Sequence, residues 1–93
     1  MISLEKEYVQ QIRVLFRERR IAIGLKQVEA ASRSGVNIAT LRLFEKNGQV
    51  SLLNLLKLST LYKMDRHIVS AITDRSWWTI NELERAEKFR TVR

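Results

Sequence analysis

Apolar residues return along this chain at intervals of three and four, and glycine or small polar residues break the pattern every eight to twenty positions. Such spacing reads throughout as helix and short turn. Val9, Ile12, Phe16 and Ile23 recur in a first helix that Ser3 caps, with Glu5 and Glu7 in its opening turn and Gly24 at its end. Lys26 to Ser34 forms a second helix, and Asn37 caps a third that runs to about Lys46 and is closed by Asn47-Gly48. Ser51 caps a fourth, whose core stripe is Leu52, Leu55, Leu56 and Tyr62, with Leu53, Leu58 and Leu61 partly outside it. A helix apolar nearly all round needs cover on more than one side. Asp65 caps a short fifth helix with Ile68, Val69 and Ile72 inward. Thr79-Ile80-Asn81-Glu82 has the form of a capping box, so a sixth helix is predicted from about Ile80 to Phe89, with one narrow stripe of Ile80, Leu83, Ala86 and Phe89.

Within this series the segment Gln27 to Gly48 is the most telling. Ala30, Ala31, Val36, Leu41 and Phe44 face inward, Ala31 is small where two helices cross, and Gly35 can take the positive φ of a tight bend. Asn37, Ile38, Ala39, Arg42, Leu43 and Lys46 are left facing outward on the second of the two helices. The arrangement is that of a helix-turn-helix, whose outer face enters a DNA major groove.

On these residues the stretch from Phe16 to Ile72 resembles the Cro/C1-type (Xre-family) helix-turn-helix of bacteria and phages. Gly24-Leu25, Gln27, Ala31, Gly35-Val36, Leu41, Phe44-Glu45, Asn47-Gly48 and the leucine-rich run from Ser51 to Leu61 carry the resemblance. It implies an all-α fold, a five-helix lambda-repressor-like domain here followed by a short extra helix. It further implies a dimeric transcriptional regulator, with repression at an operator the expectation. Residues 1–75 are read as the DNA-binding domain and 76–93 as an extension that packs on the core, on a dimer mate or on a partner.

Charge agrees with this reading. Seventeen Lys and Arg against ten Asp and Glu give a formal charge of +7 and a pI near 10.4, suited to a polyanion. Nine cations against five anions in residues 1–50, and eight against five in 51–93, spread that excess over the chain. An anionic membrane surface is the weaker alternative. No apolar run approaches the ~20 residues of a membrane span and no signal-like leader is seen, so a cytoplasmic location is expected. Cysteine is absent, which excludes disulfides and thiolate zinc sites. His67 stands alone, without ligands at metal spacing, and no phosphate loop, nucleophile elbow or catalytic carboxylate pair occurs. No enzyme, metal or cofactor is expected.

Recognition chemistry is assigned by side-chain type. Arg42 suits bidentate bonding to guanine O6 and N7. Ile38, Ala39 and Leu43, where relatives often have polar residues, can touch only thymine methyls, so specificity is expected from Arg42, Asn37 and DNA shape. Asn37 also serves as N-cap. Gln27, at the start of the second helix, is placed for a phosphate, as is Lys46. Lys26 stands where the family usually has a capping Thr or Ser, and is either a phosphate contact at the cost of capping or a neutral change. Lys57, Arg13, Arg17, Arg19 and Arg20 are read as further phosphate partners or solvated charges. Glu45 is expected to form an intramolecular ion pair, with Arg20 the candidate.

Beyond the resemblance lie Trp77 and Trp78. Two exposed indoles are a liability. They either fold back on Leu53 and Leu61 to complete the core, form a dimer seam with them, or grip a partner protein. The last option defines an alternative function, the antitoxin of a toxin-antitoxin pair that represses its own operon and holds the toxin through this segment, to which the basic end Arg90 to Arg93 belongs.

Overall fold

The computed structural model describes residues 3–92, with side chains described through residue 90. Among the described residues six helices follow one another: α1 Leu4–Ala22, α2 Gln27–Ser34, α3 Ile38–Asn47, α4 Leu52–Leu61, α5 Asp65–Thr73 and α6 Ile80–Val92. No strand occurs among the described residues.

Most boundaries rest on the capping chemistry that the sequence announces. Ser3 Oγ accepts from the Lys6 amide at 3.3 Å, Asn37 Oδ1 from Ala39 at 2.8 Å and Ser51 Oγ from Asn54 at 3.1 Å. At α6 the box is complete: Thr79 Oγ1 accepts from the Glu82 amide at 3.2 Å and Glu82 Oε1 from the Thr79 amide at 2.8 Å. At α2 only half of it forms, because a lysine side chain has no acceptor; Glu29 Oε1 takes the Lys26 amide at 3.3 Å. Helix α5 departs from expectation. Its N-cap is Met64, without a side-chain bond, and Asp65 is already helical, so the carboxylate serves the first turn rather than the cap.

The ends of α1 to α4 are closed by left-handed residues. After α1, Gly24 (φ +81°) lets its amide reach the Ile21 carbonyl and the Leu25 amide reach that of Arg20, a Schellman closure. After α4 the same two bonds run from Lys63 to Thr60 and from Met64 to Ser59, with Lys63 at φ +60° where glycine is usual. Gly48 (φ +84°) ends α3 under α1, and a Cβ there would overlap Val9 Cγ1.

The principal packings are α1 on α3, α2 on α3 and α4, and α4 on α5; α6 joins none of them. Phe16, Leu25, Ala30, Ala31, Val36, Leu41, Phe44, Leu58 and Tyr62 form the buried core. Phe16 meets Phe44 edge-on at 5.2 Å and Tyr62 at 6.2 Å between ring centres. Helix α4 is rotated from the predicted stripe: Leu58 and Ser59 are buried beside Tyr62, Leu55 and Leu56 are half-buried, and Leu52 is exposed. Ser59 is tolerated inside because its hydroxyl donates to the Leu55 carbonyl at 2.7 Å. Val9 and Ile12 of α1, Ile23 at its C-cap, and Val69 and Ile72 of α5, were expected inward and are exposed. Two short helices cannot cover the length of a 19-residue one, so apolar side chains at the margins of α1 and α5 outrun the core.

Candidate nucleic-acid interface

Position in the helix-turn-helix begins with Glu45, which is buried on the inner side of α3. Arg20 donates to its carboxylate twice, Nε to Oε2 at 2.7 Å and Nη2 to Oε1 at 2.9 Å, and its Nη1 donates to the Leu25 carbonyl at 2.8 Å. The Gln27 side-chain amide donates to Glu45 Oε1 at 3.0 Å. One carboxylate therefore ties α3 to both α1 and α2. The bond to Glu45 raises the Arg20 pKa above its usual value against the opposing effect of burial. The expected pairing of Glu45 with Arg20 is present.

Two more α1 arginines are structural. Arg13 Nη1 donates to the Glu45 carbonyl at 2.7 Å, and its Nε bonds Gln10 Oε1. Arg19 Nε donates to the Tyr62 carbonyl at 2.9 Å at the end of α4. Arg13, Arg19 and Arg20 are thus clamps between helices rather than phosphate partners or solvated charges; Arg17 stays exposed. A signal for this was available, since Arg13 and Arg20 lie three and four residues either side of Phe16 and share its buried face.

With Leu41, Phe44 and Glu45 inward, Ala39, Arg42, Leu43 and Lys46 form the opposite, exposed row of α3 at helical spacing. Arg42 is exposed and makes no hydrogen bond or ion pair among the described residues. Leu43 is 43% exposed. Ile38 lies on the margin, half-buried against the core. Asn37 is exposed, and its Oδ1 accepts from the Ala39 amide, which leaves the side-chain N-H₂ and one remaining lone pair of Oδ1 to bond a base. Gln27 is likewise half-engaged: one amide hydrogen serves Glu45 and the other remains for a phosphate. Lys26 and Lys46 are exposed, at the start of α2 and the end of α3.

Around the tail, exposure takes a different form. Trp77 is 73% exposed and Leu53 64%, so the indoles do not close the core over Leu53 in the same chain; Trp78 and Leu61 are half-buried, Leu61 against the core. Trp77 and Trp78 pack edge-on at 5.9 Å, and the Arg75 guanidinium lies 5.4 Å from the Trp78 ring centre. Asp74 accepts from the Ser76 amide and hydroxyl, both at 2.9 Å, which lowers its pKa. Glu87 pairs with Arg90 at 3.7 Å on α6; Arg93 lies outside the described residues. A groove of about 270 Å³, not marked out by the sequence, runs between Ile12, Leu15 and Phe16 of α1, Leu52 and Leu55 of α4, and Met64, Ile68 and Ile72 at α5.

A left-handed bend at Gly35 (φ +78°), a second helix tied at its inner face and an unpaired basic row on its outer face define a helix-turn-helix of the DNA-binding class. A model of the helix-turn-helix family matches residues 16–67, more than half the chain, and the protein belongs to that family, in its Cro/C1-type branch. It is a DNA-binding transcription regulator. Neither the curated proteins nor the solved structures contain a match. Among the described residues no helix is long and apolar enough to cross a membrane.

Proposed function

We propose that the protein is a sequence-specific repressor that acts as a dimer on operator DNA. The observation that carries this reading is the outward row of α3, where Arg42 stands free between Ala39 and Leu43 while the opposite face is fixed through Glu45. Arg42 reads guanine, with the Asn37 amide, Ala39, Leu43 and the margin of Ile38 along the groove floor. Lys26, the second amide hydrogen of Gln27 and Lys46 hold phosphates on either side. A lone recognition helix spans too few base pairs for useful selectivity, which is the case for two protomers on a two-fold site.

The dimer would be made by α6 of one copy seated on the α1–α4–α5 groove of the other. The groove is apolar on all three sides, and Ile80 and Phe89 of α6 are each 74% exposed. Ile72 ends the groove and α6 starts eight residues later, so the exchange is reciprocal within a short reach.

Arg42→Ala is expected to cost about 1 to 3 kcal/mol on the cognate operator and to flatten discrimination between operator and random DNA, whereas Lys46→Ala should weaken both alike and reduce the salt slope by about 1. Titrations on both duplexes at several salt concentrations check it. An equal loss on both duplexes for Arg42→Ala makes that residue a phosphate contact and defeats the readout assignment.

A second reading rests on the same uncovered Trp77, Ile80 and Phe89: an antitoxin that binds its operator through α2 and α3 and a toxin through α6. Its distinguishing observation is a monomeric free protein whose α6 side chains become protected only when a toxin encoded beside it is added.

A further inference from the structure

The outer row of α3 has donors and hydrocarbon, and no acceptor. Arg42 and Lys46 donate, Ala39 and Leu43 offer only methyl and methylene groups, and Asn37 Oδ1, at the N-cap outside this row, has one of its two lone pairs engaged by the Ala39 amide. On the floor of a major groove this row can bond the acceptors of guanine and thymine, and the N7 of adenine. It leaves the exocyclic amino groups of adenine and cytosine without a partner. Leu43 has no place in the buried core, so its exposure on this row is available to a ligand. The apolar feature a base presents there is the C5-methyl group of a pyrimidine.

We propose that Ala39 and Leu43 form a seat for the C5-methyl group of a pyrimidine adjacent to the guanine held by Arg42, and that Leu43 is a specificity-determining residue. Ala39 and Leu43 are four residues apart and flank Arg42 on the same face, so a methyl group beside the bonded guanine falls between them and the stem of the arginine. Two bases carry that group, thymine and 5-methylcytosine. Thymine fits the row better, because its O4 accepts a bond from Arg42 or Lys46 where the amino group of 5-methylcytosine finds no acceptor. This inference rests on the reading of α3 as the base-contacting helix and adds the chemistry of the base it selects.

Binding sites are selected from a random duplex library with the full chain, and titrations are then run on the selected duplex with thymine, deoxyuridine, cytosine or 5-methylcytosine at the position beside the guanine. Deoxyuridine pairs as thymine does and lacks only the methyl group. The expected affinity of the deoxyuridine duplex is about fourfold lower for each half-site, the loss for one buried methyl-sized group. Leu43→Ala protein is expected to bind thymine and deoxyuridine duplexes alike. Cytosine should bind more weakly than 5-methylcytosine, and 5-methylcytosine equal to thymine would make methylated DNA a ligand of the same seat. Equal affinity of wild-type protein for the thymine and deoxyuridine duplexes overturns the proposal, as does a deoxyuridine loss that persists undiminished in Leu43→Ala. Enrichment of no sequence at all would instead defeat the sequence-specific reading on which it rests.

Discussion

Phe44 in α3 and Phe89 in α6 occupy comparable places in the apolar stripes of their helices, yet Phe44 is 1% exposed and Phe89 is 74% exposed. The helices differ in what surrounds that stripe. In α3, Leu41, Phe44 and Glu45 meet α1 and α2 on a face wide enough to be covered, and polar groups there are joined in a network from Arg13, Arg20 and Gln27. In α6, Ile80, Leu83, Ala86 and Phe89 follow a three-residue step that drifts around the helix, and all its charges face outward. A narrow stripe stabilises a helix only against a partner. The core is a self-sufficient body, whereas the tail is a helix held by its capping box and waiting for a surface.

The sharpest way to break the first half of that comparison is Glu45→Ala. It leaves Arg20 buried without its carboxylate and Gln27 without its acceptor, and removal of one partner from a buried pair costs about 3 to 5 kcal/mol. Urea unfolding followed by circular dichroism should show the midpoint collapse. Joint replacement by Arg20→Met and Glu45→Leu should recover most of the loss, because apolar groups of similar volume require no pairing. A cost below about 1 kcal/mol for Glu45→Ala would mean that apolar packing alone positions α3.

How much of this was legible in the sequence follows from what is local and what is not. The caps at Ser3, Asn37, Ser51 and Thr79 depend on a side chain and an amide a few residues away, and each was readable. Lys63 was not: it completes the same closure as Gly24, but a lysine carries no mark of the left-handed conformation it adopts. The rotation of α4 escaped for another reason. Six leucines in ten residues give several equivalent stripes, and only the neighbours decide that Leu58 goes in and Leu52 out. At the site, Arg42 and the row around it came from helical spacing, and the Arg20–Glu45 pair from the family pattern. The division of Gln27 and Asn37 between structure and ligand needed three dimensions, since spacing does not reveal which atoms are already bonded.

Tyr62 sharpens the account of the core by a smaller effect. Its ring is 1% exposed and its hydroxyl, buried, has no hydrogen-bond partner; desolvation, then the nearby Glu45, pushes its pKa up to about 12 against the attraction of Arg20. A folded pKa above the unfolded value of about 10 means that the native state holds the proton longer. The contribution is therefore intact below about pH 10 and is lost as pH rises from 10 through 12, at most about 2 to 3 kcal/mol. Tyr62→Phe should be neutral or slightly stabilising at pH 7, since no bond is lost, and should flatten this part of the alkaline decline. Parallel unfolding curves of the two proteins from pH 7 to 12 measure the difference. A Tyr62→Phe protein that loses more than about 1 kcal/mol at pH 7 would reveal a bond made by that hydroxyl.

The smallest effect expected is also the most direct test of the contrast between core and tail. Removal of residues after Thr73 takes away α6, which shares no principal packing with α1 to α5, together with Trp77 and Trp78. In dilute solution, where no dimer forms, the shortened chain should unfold with a free energy within about 0.5 kcal/mol of the full chain, the range of changes that touch no core feature. At higher concentration the two should diverge: the full chain gains stability by association through α6, and the shortened chain does not. Unfolding curves at several protein concentrations, with sedimentation of the same samples, separate these terms. A concentration-independent loss of more than about 1 kcal/mol would show that the indoles pack on their own core in solution. Equal behaviour of both chains at every concentration would remove the dimer seam and leave α6 to a different partner.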